Sequence, residues 1–375
     1  MGKGIIYYIA ASVIPSRSAN SIHVMKMCAG FANDGYEVKL IVPRHTEQEK
    51  GIENVYDFYD VKKTFEIKRL WWPSMKFGFM VFAFLASLKV FFSKKGLVYS
   101  RDITSAMMAD KLGLKTIFEA HSAPYNFKGP RKKFYQKYQV SKKLIRFVVI
   151  SEALKKIYMK ETAIPQNKYW VQHDASDVHV ETEKNYREVG YDIQVGYVGH
   201  LYKGRGIEII VEMAKACPWA FFHIVGGNEE DIRNWEAELQ DVSNMKLYGF
   251  VSPAETVAIR LSCDVLLAPY QNVVTIWQGK GNTVDYMSPL KVFEYMSAGK
   301  TILISDLPVL HEVLTDNETC LFCVPDKADS WIEALMKVRG QRELMLRLGQ
   351  AAEKEFLLNY TWNNRAVKLL EDLSL

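Results

Sequence analysis

The feature that most constrains this chain is a rhythm: short runs rich in β-branched and aromatic residues alternate with helical patterns along nearly its whole length. Ile5 to Ala11 is followed by the helical stretch Ala19 to Asn33 and then by Glu37 to Val42, with later runs at Leu97 to Ser100, Thr116 to Glu119, Phe147 to Ile150 and Tyr169 to Gln172. A chain that keeps inserting a helix between strands lays those strands parallel, because parallel neighbours need a crossover. A second series runs through Val195 to Val198, Phe221 to Val225, Lys246 to Tyr248, Val265 to Ala268, Thr301 to Ser305 and Leu321 to Val324. Two α/β units in tandem are the simplest architecture, and 375 residues suffice for two cores. Asp174 to Asp192 is polar and without sustained periodicity, which puts the expected division at 1–185 and 186–360. Leu344, Leu348, Ala352 and Phe356 mark an amphipathic helix, and the final helix, about 361–375, is expected to pack back on the first unit.

Composition removes several classes. Hydrophobic residues at 49% and charged ones at 24% argue against disorder, and five cysteines, mostly inside apolar runs, against a disulfide-stapled secreted domain. A reduced, cytoplasmic setting fits better. Ile5 to Ala11 reads as a buried strand rather than a secretory segment. Cys320 and Cys323 form a lone C-x-x-C without a second pair, which is insufficient for structural zinc, and no D-x-D is present to hold a divalent ion; no metal is expected. The charge is uneven: residues 1–180 carry 29 Lys and Arg against 15 Asp and Glu, although the whole chain is only +5. Between Lys128 and Lys160 the cations face only Glu152 and Glu161, a pattern that suits anionic lipid, a polyphosphate-bearing substrate or simply solvent. The run Phe77 to Phe92, with Lys89 inside and cations at both ends, is too short to span a bilayer and fits an interfacial helix and a core helix equally.

Two stretches carry chemistry. The first interstrand loop, Ser12 to Ser21, has no glycine, so a nicotinamide dinucleotide fingerprint is absent, as is a Walker A motif. By contrast Tyr197 to Glu208 (YVGHLYKGRGIE) reads as a strand, a basic loop with Gly199, Gly204 and Gly206, and a helix start. Its Lys203 and Arg205 stand where backbone amides and helix dipole favour an anion such as diphosphate, although a plain strand-to-helix turn would read the same way. In Met287 to Pro308, Ser288 fits an N-cap and Pro289 the first helical turn. The amides of Leu290 and Lys291 can then bind phosphate oxygens, and Glu294, one turn on, can accept hydrogen bonds from a ribose diol. Both stretches would lie at the carboxyl end of a parallel sheet, the usual ligand site of such folds.

With these residues in view, the chain resembles the GT-B glycosyltransferases of the large retaining family 4. The likeness runs over essentially its whole length, through VGHLYKGRG, SPLKVFEYMSAGKTILISDLP, VVISEALK (Val148 to Lys155), FEAH (Phe118 to His121) and YTWNNRA (Tyr360 to Ala366). The resemblance implies two Rossmann-like doubly wound parallel-sheet domains facing an interdomain cleft, with the nucleotide sugar on the second and the acceptor on the first. It implies that Arg205 binds the donor diphosphate, that Glu294 is the second carboxylate of an E-x7-E pair, and that His121 faces the reacting sugar, with Glu119 and Asn126 nearby. Two positions depart from the pattern: His200 stands where the family has Arg, and Tyr286 where it has the first Glu.

The expected reaction is retaining, metal-independent transfer of a sugar from a nucleotide diphosphate sugar to a hydroxyl of a glycan or lipid-linked acceptor, as in bacterial surface polysaccharide assembly. His121, Arg205 and Glu294 are the candidate catalytic residues; Gly199, His200, Lys203, Gly204, Ser288, Pro289, Leu290 and Lys291 are the candidate donor-binding residues. No cofactor besides the donor and no nucleic-acid partner are expected, and peripheral contact with an anionic membrane is. The alternatives are a nucleotide-sugar epimerase of the same fold and a non-catalytic sugar-nucleotide or membrane-binding subunit, for which the departures at His200 and Tyr286 speak.

Overall fold

In the computed structural model the described residues are 3–44, 51–73, 77–127, 130–179, 182–202, 204–273 and 282–373. Of the expected donor-binding residues, Lys203 lies outside them, as does part of the loop 271–285. The chain forms two compact units, residues 1–173 with 362–375, and residues 174–361.

The first unit holds a seven-stranded sheet. Its strands are β1 (Ile5–Ile9), β2 (Glu37–Pro43), β3 (Glu66–Leu70), β4 (Leu97–Ser100), β5 (Thr116–Ala120), β6 (Leu144–Val149) and β7 (Tyr169–Val171). They stand in the order β3-β2-β1-β4-β5-β6-β7, every pair parallel. The chain winds outward from β1 in both directions, so the switch point lies between β1 and β4, where Ile9 pairs with Ser100. β3 escapes a reading of the sequence because EIKRL is an edge strand: its Glu and Lys side chains interrupt the apolar signal that β1 and β4 keep on both faces.

The second unit holds six strands, β8 (Ile193–Val198), β9 (Ala220–Val225), β10 (Met245–Gly249), β11 (Val265–Ala268), β12 (Thr301–Ser305) and β13 (Leu321–Cys323). Their order is β10-β9-β8-β11-β12-β13, again parallel throughout, with the switch point between β8 and β11. Helices Ile207–Ala216 and Ala328–Val338 cover one apolar face with Ile210, Met213, Trp331 and Leu335. Burying these side chains contributes roughly 1.5–3 kcal/mol each. All five cysteines are buried free thiols, with Cys323 inside β13.

The division differs from the expected one at 185 because the connecting segment bonds to the second unit. The Asp174 amide donates to Ser288 Oγ at 2.8 Å, the Tyr186 amide to Ser262 Oγ at 2.9 Å, and Arg187 pairs with Asp264 at 2.7 Å. At the other end the helix Trp362–Leu370 joins the first unit against the helix Ala19–Asn33. Gly30 permits that approach: a Cβ there would stand 2.8 Å from the Trp362 carbonyl oxygen. The basic run Lys128 to Lys160 is not one continuous face. It divides into helix Pro130–Tyr138, strand β6 and helix Glu152–Glu161, and within β6 Arg146 is buried, donating to the Leu369 carbonyl at 2.5 Å and stacking over Trp170. Among the described residues no helix is long and apolar enough to cross a membrane.

Candidate active site

The switch point of the second sheet gathers the residues that the sequence singled out. Val198 ends β8 and Gly199 opens the loop; Ala268 ends β11, with Tyr270 beyond it. The helix Leu290–Ser297 is tied to β8 by the Val198 amide, which donates to the Tyr295 hydroxyl at 2.9 Å. That bond brings the first helical turn beside the loop. Lys291 Nζ lies 3.9 Å from the Tyr197 ring centroid and 5.3 Å from that of Tyr270. A Cβ on residue 199 would be 2.7 Å from the same ammonium, so only glycine leaves it room. At the loop's far end Gly206 has φ +75° and precedes helix Ile207–Ala216; a Cβ there would come within 2.1 Å of the Pro269 carbonyl oxygen.

The loop and the helix start are cationic. Burial pushes the Lys291 ammonium well below the usual lysine range, repulsion from Arg205 pushes it further, and Glu294 offsets part of this. An anion arriving beside a partly buried cation and a second cation would relieve their repulsion. Burial also works against the Arg205 charge, but the hydroxyls of Tyr270, Tyr202 and Tyr197 more than offset it; Arg205 donates to Tyr202 Oη at 2.7 Å and lies 4.9 Å from that ring centroid. His200 stacks on Tyr202 at 5.1 Å, and its carbonyl accepts the Tyr197 hydroxyl at 2.6 Å. Burial first, then Arg205 and Lys291, lower its pKa, so at neutral pH it offers a neutral ring with a hydrogen-bond donor where an arginine would have brought a third charge.

Ser288 is not the N-cap. Pro289 takes that position with no side chain capping the helix, because the Ser288 hydroxyl is turned to the Asp174 amide. The orphan amides of the first turn therefore keep their affinity for an anion, which is how a phosphate-binding helix start is built. Gly204 accepts from the Gln271 amide at 3.4 Å, which links the basic loop to the segment after β11.

One turn on, Glu294 Oε2 accepts from Arg260 Nη1 at 2.6 Å. Arg260 is buried, and its Nη2 lies 3.3 Å from His179 Nε2. Burial and the neighbouring Arg260 hold the His179 pKa down to about 4, so the ring stays neutral. Glu294 thus presents a carboxylate braced on one side by a guanidinium. Neither Arg260 nor His179 is legible as a site residue in the sequence, since the three positions are far apart along the chain. Tyr286, where the family pattern has a carboxylate, is a buried core side chain.

In the first unit His121 follows β5 and its Nε2 lies 2.5 Å from Glu119 Oε1. Glu119 is fully buried and also meets His23 Nε2 at 3.1 Å and Arg365 Nη2 at 2.8 Å, while Tyr99 donates its hydroxyl to the other oxygen. Burial alone would raise this carboxyl; Arg365, then His23 and His121, pull it well below the usual range. Arg365 comes from the C-terminal helix and also donates to the carbonyls of His173 and Gln172. His23, Glu119 and His121 together could ligate a cation. The Arg365 guanidinium pairs with the same Glu119 carboxylate, so these side chains form an ion-pair network around His121. Asn126 is exposed, on the turn Pro124–Asn126.

Residues 181–355 match the family model described as Glycosyl transferases group 1. No curated protein matches the sequence. Among solved structures, a glycosyltransferase from Rickettsia africae ESF-5 is similar at TM-score 0.72 and 16% identity, covering 99% of this chain and 98% of that one. The Anabaena protein Alr3699/HepE in complex with UDP is similar at TM-score 0.71 and 10% identity, covering 98% and 100%. Sucrose-phosphate synthase from Thermosynechococcus elongatus is similar at TM-score 0.69 and 16% identity, covering 98% and 97%. At these identities the likeness carries the fold, two parallel-sheet Rossmann-like domains in the GT-B manner. Residues 181–355 of the second unit thus match a glycosyl transferases group 1 domain, and the fold of the chain is that of the GT-B glycosyltransferases.

Proposed function

We propose that this enzyme moves a sugar, with retention and without a metal, from a nucleoside diphosphate sugar to a hydroxyl of a glycan or lipid-linked acceptor, in the cytoplasm and as a step in surface polysaccharide assembly. The observation that carries the donor reading is the convergence of Arg205, Lys291, His200 and the uncapped start of helix Leu290–Ser297 at the carboxyl ends of β8 and β11. Charge that develops on a leaving diphosphate meets groups already oriented and desolvated, which is where electrostatic catalysis draws its largest effect. Two side-chain cations and helix amides supply the charge that a divalent ion would otherwise bring, so the donor is the only small molecule this reading requires. Glu294, braced by Arg260, accepts from the ribose hydroxyls, and His121, oriented by Glu119, faces the reacting sugar. The leaving phosphate takes the acceptor proton, which removes the need for a protein nucleophile.

The Anabaena structure holds UDP, which makes uridine the first base to try. A melting-temperature panel of UDP, GDP, ADP and CMP separates the bases, because a ligand selective for the folded state raises its transition. One nucleotide is expected to raise the melting temperature of the wild type and to fail with Arg205→Ala and Glu294→Ala. No shift with any nucleotide, or an equal shift in both variants, refutes the reading. Incubating the sugar nucleotide alone distinguishes an epimerase, which would convert it without acceptor.

A further inference from the structure

The helix Gly78–Phe91 is apolar on all sides, with Lys89 its single charged residue, yet only one face is packed. Phe82, Ala83, Ala86 and Val90 enter the core of the first unit with Tyr7, Ile9 and Val98. The opposite face carries Phe77, Phe84 and Phe91, spaced two helical turns apart in one line and 46–52% exposed. Phe92 and Trp71 lie at its ends at 78% and 65% exposure. A helix with no polar face belongs in a core or in lipid, and here half of it is in neither.

Along the chain the charge next to it has one sign. From Ile67 to Arg101 the sequence contains no Asp or Glu, while Lys68, Arg69, Lys89, Lys94, Lys95 and Arg101 fall within it. Lys89, Lys94 and Lys95 are exposed at the end of the helix that carries Phe91 and Phe92. Aromatic side chains in line, flanked by exposed lysines of which only Lys94 has an acid, Glu37, acting on it, match the boundary between acyl chains and anionic headgroups: the rings bury, and the long lysine stems reach the phosphates.

We propose that this face is a membrane-docking surface, which lays the helix Gly78–Phe91 in the headgroup region of an anionic bilayer. The proposal rests on the surface of the first unit alone and not on the transfer reaction, so a failure of either leaves the other standing.

The test is flotation of the full-length protein with vesicles of phosphatidylcholine containing 30 to 40% phosphatidylglycerol and with vesicles of phosphatidylcholine alone. The wild type is expected to float with the anionic vesicles and to remain behind with the neutral ones. Lys89→Glu/Lys94→Glu/Lys95→Glu is expected to lower partitioning by about a hundredfold, at roughly 1 kcal/mol for each lysine near an anionic surface. Phe84→Ser/Phe91→Ser is expected to lower it at least about tenfold with an unchanged melting temperature, since the removed rings are exposed. Absence of flotation overturns the proposal, as does flotation that the phenylalanine variant leaves unchanged, because electrostatic attraction elsewhere would then account for binding. A concentration-dependent dimer in sedimentation that the phenylalanine variant abolishes, without vesicle binding, would assign the face to a second copy of the chain and overturn it equally.

Discussion

Replacing Arg365 by Met tests whether the network around His121 is held by charge rather than by shape. The side chains match in length, and Arg365 is 1% exposed, so the substitution keeps packing while removing the cation nearest to Glu119. It leaves a fully buried carboxylate without its strongest partner, and breaking a buried pair in this one-sided way costs about 3–5 kcal/mol. In a unit of this size each kcal/mol moves the melting temperature by roughly 2–4 °C, so a fall on the order of 10 °C in the first unit's transition is expected by calorimetry. The pH dependence supplies the sharper criterion. In the wild type the Glu119 carboxyl lies well below its unfolded value, so its contribution is complete above the ordinary carboxylate range and is lost only as pH falls through the folded value. In the variant the strongest downward pull, that of Arg365, is gone, so burial, the largest influence on this group, moves the carboxyl up from the wild-type value. The penalty is then full at neutral pH and fades as acid protonates Glu119. The gap between wild type and variant should therefore narrow as pH is lowered from about 7.5 toward 4.5. A loss below about 1 kcal/mol, or a gap that widens in acid, would refute the reasoning.

Other expectations follow from the second unit. Arg260→Met frees Glu294 from its 2.6 Å bond and leaves the second unit folded; nucleotide affinity by titration calorimetry is expected to fall about tenfold, roughly the worth of one charge-assisted hydrogen bond. Gly206→Ala meets both a left-handed φ and the Pro269 carbonyl and should cost at least about 2 kcal/mol in thermal unfolding, and Gly199→Ala, at φ +159° with Lys291 Nζ 2.7 Å and the Tyr197 hydroxyl 3.0 Å from the new Cβ, should lower melting and weaken nucleotide binding together. His200 is lowered by Arg205 and Lys291, so a bound diphosphate that neutralises them should raise it again: affinity should increase as pH falls below about 6.5, with proton uptake visible in buffers of different ionisation enthalpy. His179 and His223 are both held at about 4, which makes the unfolded chain the better proton acceptor between that value and the ordinary 6.5. The second unit should lose stability across that window, by up to about 3 kcal/mol for each ring, and His223→Gln should remove its share of the loss.

Much of the donor site could be read before the fold was known because its parts are local. Gly199 to Arg205 follow a strand and open a helix, and Lys291 and Glu294 share one helix face at a spacing that needs no tertiary knowledge. The misreading of Ser288 as an N-cap shows the limit. Its hydroxyl had two possible partners, the helix amides three residues on and the distant Asp174 amide, and only packing chose between them. The same holds for Arg260 at Glu294 and for Arg365 at Glu119, where the partners are separated by long stretches of chain. The aromatic run Phe77 to Phe92 was ambiguous for a different reason: with apolar residues at every angle, periodicity contains no information about which side meets the core.

The sequence by itself determined the alternation of strands and helices, and with it two parallel sheets, because hydrophobic period and crossover geometry act over a few residues at a time. It also determined the glycine-rich basic loop and the helix start at the second switch point. Tertiary structure alone decided which unit the connecting segment joins, which cations brace the two carboxylates, and which aromatic face stays bare. Those outcomes depend on the burial of charge and apolar surface contributed by distant segments, and such burial has no value until the chain has closed on itself.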